Sequence, residues 1–180
     1  MSERLLPAPA LAALDPNGLK VALRPLWEDA GVLASRLAGR SFGSWTELID
    51  SAEQEIEKMD DRQRAALLEA HPRLGEEPAQ LRARSASSWK EQTSGGVTTE
   101  ATARRLRELN GCYQRQFGFP FVEWVAGRPL TAIVAVLEDR LQRDRATELA
   151  AGCAALVAIA RDRLRRIEGE RPTGTQVAPA

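Results

Sequence analysis

Residues 145–168, RATELAAGCAALVAIARDRLRRIE, place apolar or small side chains at Leu149, Cys153, Leu156, Ala160, Leu164 and Ile167. Spacings of three and four residues follow the helical turn, so all six share one stripe and most charged residues lie off it. The stretch predicts a long amphipathic helix that stops before Gly169. Upstream, Pro129 opens a helix with Leu130, Ile133, Leu137 and Leu141 on one face. Before it lies FGFPFVEW, where Pro120 breaks continuous helix. Thr98 or Thr99 caps a helix carrying Leu106, Leu109, Tyr113 and Phe117, and Gly118 suits its end.

Towards the N-terminus the same signals recur. Asp60 caps DRQRAALLEA, which runs into His71-Pro72; proline disfavours the α conformation in the residue before it, so the helix is expected to end at His71. Ser44 and Glu47 have capping-box spacing ahead of TELIDSAEQEIEKM, and Pro25 suits a first helical position before LWEDAGVLASRLAGR. Between 73 and 96 the periodicity fails, which predicts a loop interrupted by a short helix holding SSWKEQ. No alternating strand pattern and no internal repeat occur. The expectation is all-α: a single-domain bundle of about seven to eight helices over 19–168, a flexible segment over 1–18 and a disordered tail over 169–180.

Composition narrows the function. A chain of 180 residues, 43% hydrophobic, can bury roughly 70% of its unfolded surface. Twenty-five basic residues cancel twenty-five acidic ones, so nothing draws the chain generally to nucleic acid or an anionic membrane, and neither partner is expected. Lysine occurs only at 20, 58 and 90, and the arginine-rich runs read as solvated helix faces. Cys112 and Cys153 each fall in a helical stretch and are expected to fill core, which fits a reducing, cytoplasmic setting. One histidine and two separated cysteines make no zinc constellation, so no metal is expected. Gly95-Gly96 lies in neither a Walker nor a Rossmann pattern, and Ser88 lacks the Gly-x-Ser-x-Gly elbow.

A few residues stand out against this background. His71 sits at a helix end, where a cationic imidazole is ordinarily structural. Arg163 lies about 60° from the centre of the apolar stripe and Arg161 about 100°, so Arg163 leans inward and needs a carboxylate or an anionic ligand. Glu91 and Gln92 could be an ordinary polar turn, and FGFPF a buried connector.

Together, AHPRLG, then Ser88-x-x-Glu91-Gln92, then LNGCYQRQFGFPFV, then IARDRL resemble the family of 2-oxo-4-hydroxy-4-carboxy-5-ureidoimidazoline (OHCU) decarboxylases over about residues 67–167. The resemblance implies an all-α homodimer without cofactor that forms (S)-allantoin in urate breakdown. It implies His71 as catalytic proton donor with Pro72 lining the site, and Ser88, Glu91 and Gln92 as the polar substrate segment, with Glu91 the essential carboxylate. Trp89 and Lys90 fall inside that segment and take no assigned role. The backbone of Gly118, Phe119, Pro120, Phe121 and Val122 is implied to bind the planar ring, and Arg163 is the implied site arginine, with Arg161 two residues away. A ring imine in this substrate can accept the electron pair left by decarboxylation, so side chains suffice, with His71 and Glu91 expected to work as a pair. Two other readings stay open: a helical binding or interaction module that has lost the reaction, and decarboxylation of a related ureido or imidazoline compound.

Overall fold

The computed structural model describes residues 5–76, 78–96 and 98–169. Among them every regular element is helical: a 3-10 helix at Ala8–Ala13, then α1 (Pro16–Leu23), α2 (Gly31–Leu37), α3 (Trp45–Glu57), α4 (Asp61–Glu69), α5 (Pro78–Arg84), α6 (Ala86–Thr93), α7 (Glu100–Phe117), α8 (Leu130–Arg140) and α9 (Arg145–Gly169). Nine α-helices among the described residues exceed the seven or eight expected, because 73–96 holds two short helices and the N-terminal region contributes α1. No helix among the described residues is long and apolar enough to cross a membrane.

Local chemistry explains most boundaries. The Asp15 carboxylate accepts from Gly18 N with Pro16 at the first turn, starting α1. Asp60 and Gln63 form a reciprocal capping box on α4. Ser44 accepts from Glu47 N, but Glu47 turns its carboxylate to Gly43 N, so only half of the expected box forms on α3. Thr99, the second of the two candidates, caps α7, and Gly118 ends it at φ 82, a left-handed conformation open to a residue without Cβ. The α4 helix stops at Glu69 and leaves His71 in irregular backbone before Pro72.

Three expectations change. Pro25 does not open a helix: it follows α1, and the chain stays non-helical to Ala30, where the Asp29 carboxylate takes Gly31 N and helix resumes as α2. The lead-in over 1–18 is packed from Leu5 onward, since Leu5, Ala8 and Leu11 are buried and Trp45 Nε1 donates to Leu6 O at 2.8 Å. Cys112 is exposed, and only Cys153 fills core. The tail expected over 169–180 lies outside the described residues beyond Gly169.

The core is continuous from Leu5 to Leu164. Its axis is α9, whose Leu149, Cys153, Leu156, Ala160 and Leu164 are buried as the periodicity predicts, with Ile167 packed at the edge. α9 packs on α3 and α4, and α7 on α8. Gly152 lets α4 approach closely, because a Cβ there would stand 2.9 Å from Leu68 Cδ1.

Candidate active site

The break between α1 and α2 leaves Glu28 free of helical geometry, and the fold brings four distant groups to its carboxylate. Oε2 lies 3.2 Å from His71 Nδ1, while Oε1 accepts from Ser85 Oγ at 2.8 Å, Ser88 Oγ at 2.7 Å and Arg163 Nη2 at 2.7 Å. Burial alone would raise the Glu28 pKa; the His71 ring and the Arg163 guanidinium outweigh it and hold the carboxyl well below the ordinary glutamate range. An ionised carboxylate only accepts, so Nδ1 carries a hydrogen and Nε2 is the nitrogen left for chemistry.

Arg163 is buried, 2% exposed, and holds the second carboxylate of the cluster. Its Nε donates to Glu91 Oε1 at 2.7 Å and Nη2 reaches Glu91 Oε2 at 3.1 Å, while Nη1 donates to Leu26 O at 3.0 Å. Burial works against the Arg163 charge, and Glu91 and Glu28 overcome it, so its pKa rises. One turn on, Arg166 Nη2 donates to Glu91 Oε1 at 2.8 Å and Asp162 Oδ2 at 2.7 Å. Glu91 is thereby fixed between two arginines, and Glu28, not Glu91, is the carboxylate beside His71. Arg161, by contrast, faces α3 and pairs with Asp50 and Glu53, which agrees with the helical-wheel preference for Arg163 as the inward arginine.

These groups border a cavity of about 370 Å³ bounded by His71, Leu74, Ser88, Glu91, Gln92 and Ser94, by residues 123–127, and by Ile159, Asp162 and Arg166 from α9. The volume falls within the range of small-molecule sites. Four residues singled out in the sequence meet here: His71, Ser88, Glu91 and Gln92. Gln92 has a positioning part, since its Oε1 accepts from Gly75 N at 3.0 Å and its Nε2 donates to Arg73 O at 3.1 Å, tying α6 to the loop after His71.

The other expected residues lie back from the cavity. Pro72 is buried behind His71. Trp89 is half-buried with the Arg82 guanidinium 5.1 Å over its ring, and Lys90 is exposed. Arg163 is enclosed by its own partners and does not border the space. Gly118 is the exposed cap of α7, and Phe119, Pro120, Phe121 and Val122 are buried. The rings of Phe119 and Phe121 pack edge-on to Tyr113, centroids 6.0 and 5.3 Å apart. Phe119 to Val122 are therefore core, and the α7–α8 connection borders the cavity at 123–127, where Trp124 O and Val125 O also accept from Arg128. There Ala126 (φ 53) and Gly127 (φ 72) are both left-handed and turn the chain along the cavity.

A second buried cluster supports that wall. Arg140 Nη1 donates to Glu123 Oε2 at 2.8 Å and to Val122 O at 3.2 Å, while its Nε donates to Glu148 Oε2 at 2.7 Å. Tyr113 Oη donates to the same Glu148 oxygen at 2.6 Å. Burial, then the Glu148 bond, pushes the Tyr113 pKa up, so the phenol stays a donor. Glu28, Leu74, Ser94, Glu123, Trp124, Ile159, Asp162 and Arg166 were not singled out in the sequence. A usable signal was the Ala-Gly turn before Arg128-Pro129; Glu28 offered none. Among the described residues no group of three His, Cys, Asp or Glu side chains is placed to hold a metal ion.

Comparison with known proteins bears on this arrangement. The family model described as OHCU decarboxylase matches residues 12–165. This chain belongs to the OHCU decarboxylase family. The 2-oxo-4-hydroxy-4-carboxy-5-ureidoimidazoline decarboxylase of Haloferax volcanii is 30% identical to this family member over 138 residues, covering 75% of this chain and 80% of that one. The "Uric acid degradation bifunctional protein" of Bacillus sp. (strain TB-90) is 29% identical over 156 residues, 84% of this chain, which spans only 30% of that longer protein. A crystal structure of OHCU decarboxylase in the presence of (S)-allantoin has the same fold, with a TM-score of 0.66 at 18% identity over 82% of this chain and 97% of that one.

Proposed function

We propose that this chain converts OHCU to (S)-allantoin and CO2 in urate degradation, with His71 as the group that exchanges protons with the substrate. The observation that carries the reading is His71 itself: its Nδ1 is held by Glu28 and its ring borders a cavity sized for a small heterocycle.

The chemistry asks little beyond placement and proton traffic. The bond from the ring carbon to the carboxylate breaks, CO2 leaves, and the electron pair moves into the adjacent C=N, whose nitrogen takes a proton. The resulting enol gives up its hydroxyl proton to become the carbonyl, and a proton is added to the ureido-bearing carbon on one face. His71 Nε2 polarises or accepts from the hydroxyl, and Glu91, fixed by Arg163 and Arg166, holds the local charge and takes part in protonation. The wall at 123–127 takes over the part expected of 118–122 and offers backbone groups to a flat, amide-rich ring. Ser88 is committed to Glu28 and Arg163, and positions both.

A homodimer, implied by the family resemblance, and a cytoplasmic location, which the two free cysteines fit, belong to the same reading. The test is circular dichroism of freshly made urate-oxidation product, prepared with urate oxidase and 5-hydroxyisourate hydrolase. Rapid appearance of optically active (S)-allantoin with the protein present is expected; slow racemic decay at the uncatalysed rate would overturn the proposal and favour a binding module.

A further inference from the structure

The charges bordering the cavity are nearly all spoken for. Glu91 is held by Arg163 and Arg166, Asp162 by Arg165 and Arg166, and Glu123 by Arg128 and Arg140. Arg163, the inward arginine of α9, has Glu28, Glu91, Ser88 and a backbone carbonyl around it, and is enclosed. A substrate that brings its own carboxylate needs a cation it can reach. His71 and Arg166 are the basic residues on the cavity wall.

Arg166 is 39% exposed, and only its Nη2 is used, on Glu91 and Asp162. Its Nη1 has no hydrogen-bond partner among the described residues. The residue sits three positions after Arg163, so it projects from the same side of α9, one turn further along. Its two carboxylate contacts use both Nη2 hydrogens and fix the guanidinium plane, leaving Nη1 for a ligand while Nε is buried without a partner.

We infer that Arg166, rather than the enclosed Arg163, is the arginine that receives the substrate's carboxylate. This rests on the decarboxylase reading above and gives the two arginines different roles, with Arg163 positioning Glu28 and Glu91 while Arg166 contacts the substrate. The product (S)-allantoin has lost that carboxylate, which separates substrate contact from a purely structural role.

The experiment measures KM for OHCU and the inhibition constant for (S)-allantoin in wild type, R166Q and R166K. A charge-assisted contact predicts a KM raised about tenfold to a hundredfold in R166Q, partly recovered in R166K, with the product constant within about twofold of wild type. An unchanged KM, or a product constant that worsens by the same factor, would mean that Arg166 only props Glu91 and would overturn the inference. An inactive wild type would instead overturn the decarboxylase reading on which both rest.

Discussion

At the scale of residues, Glu28 gathers the site. One oxygen accepts from two serines and Arg163, the other meets His71, and none of these partners lies within forty residues of it in the chain. A helix begun at Pro25 would turn Glu28 about 200° from Leu26, on the solvent side, and that is why the sequence does not reveal it. The depressed pKa of Glu28 makes stability depend on pH in a definite sense. The unfolded chain binds this proton more tightly, so the contribution is complete above the ordinary glutamate value of about 4.3 and is lost as pH falls toward the lower folded value, at up to about 1.4 kcal/mol per pH unit. Urea unfolding of wild type and E28Q between about pH 4.5 and 2.5 should give a steeper loss for wild type. Parallel slopes would show that folding does not lower the Glu28 pKa. Among the described residues Ala126, on the cavity wall, is the non-glycine residue with positive φ, a conformation its side chain disfavours.

At the scale of elements, the cavity closes because two segments touch. The turn after α6 meets the start of α8 at Gly95, where a Cβ would overlap Arg128 O and stand 2.8 Å from Pro129 Cα. Both contacts are backbone, so no side-chain rotation relieves them. G95A should cost about 1–3 kcal/mol, read as a lower denaturation midpoint at unchanged m-value, and should raise KM because Ser94 and residues 123–127 share the cavity wall. A wild-type midpoint would show that these segments separate freely. Elements governed by their own end residues were legible in the sequence: Asp60, Thr99, Gly118 and Pro129 mark boundaries through local hydrogen bonds or fixed φ. What was not legible depends on partners far along the chain. Gly118 ends α7 and the chain stays non-helical past Pro120, but that 123–127 and not 119–122 borders the cavity depends on Tyr113 and Phe117, which draw Phe119 and Phe121 into the core. Likewise the Asp15-Pro16 start of α1 was present as a signal, yet only burial of Leu11, Leu19 and Leu23 shows that the segment belongs to the fold.

At the scale of the whole molecule, the site exists only when the chain is folded. Glu28 comes from the α1–α2 break, His71 from the end of α4, Ser88 and Glu91 from α6, the wall at 123–127 from the α7–α8 connection and Arg163 from α9. The apolar stripe that predicted α9 is the surface against which the other segments assemble, and it brings the Arg163 head group to three acceptor side chains at once. Breaking such a buried charge cluster on one side typically costs about 3–5 kcal/mol, so the polar centre and the fold are bound together. In the proposed reaction, proton exchange is nevertheless assigned to one ring. Asparagine at 71 keeps a polar group of similar reach but cannot exchange a proton near neutral pH. The decisive measurement is therefore (S)-allantoin formation by H71N, followed by circular dichroism alongside its far-ultraviolet spectrum. A loss of about 10²-fold to 10⁴-fold with helical content unchanged is the expected result; a folded H71N that keeps activity within a few-fold of wild type would contradict the role given to His71.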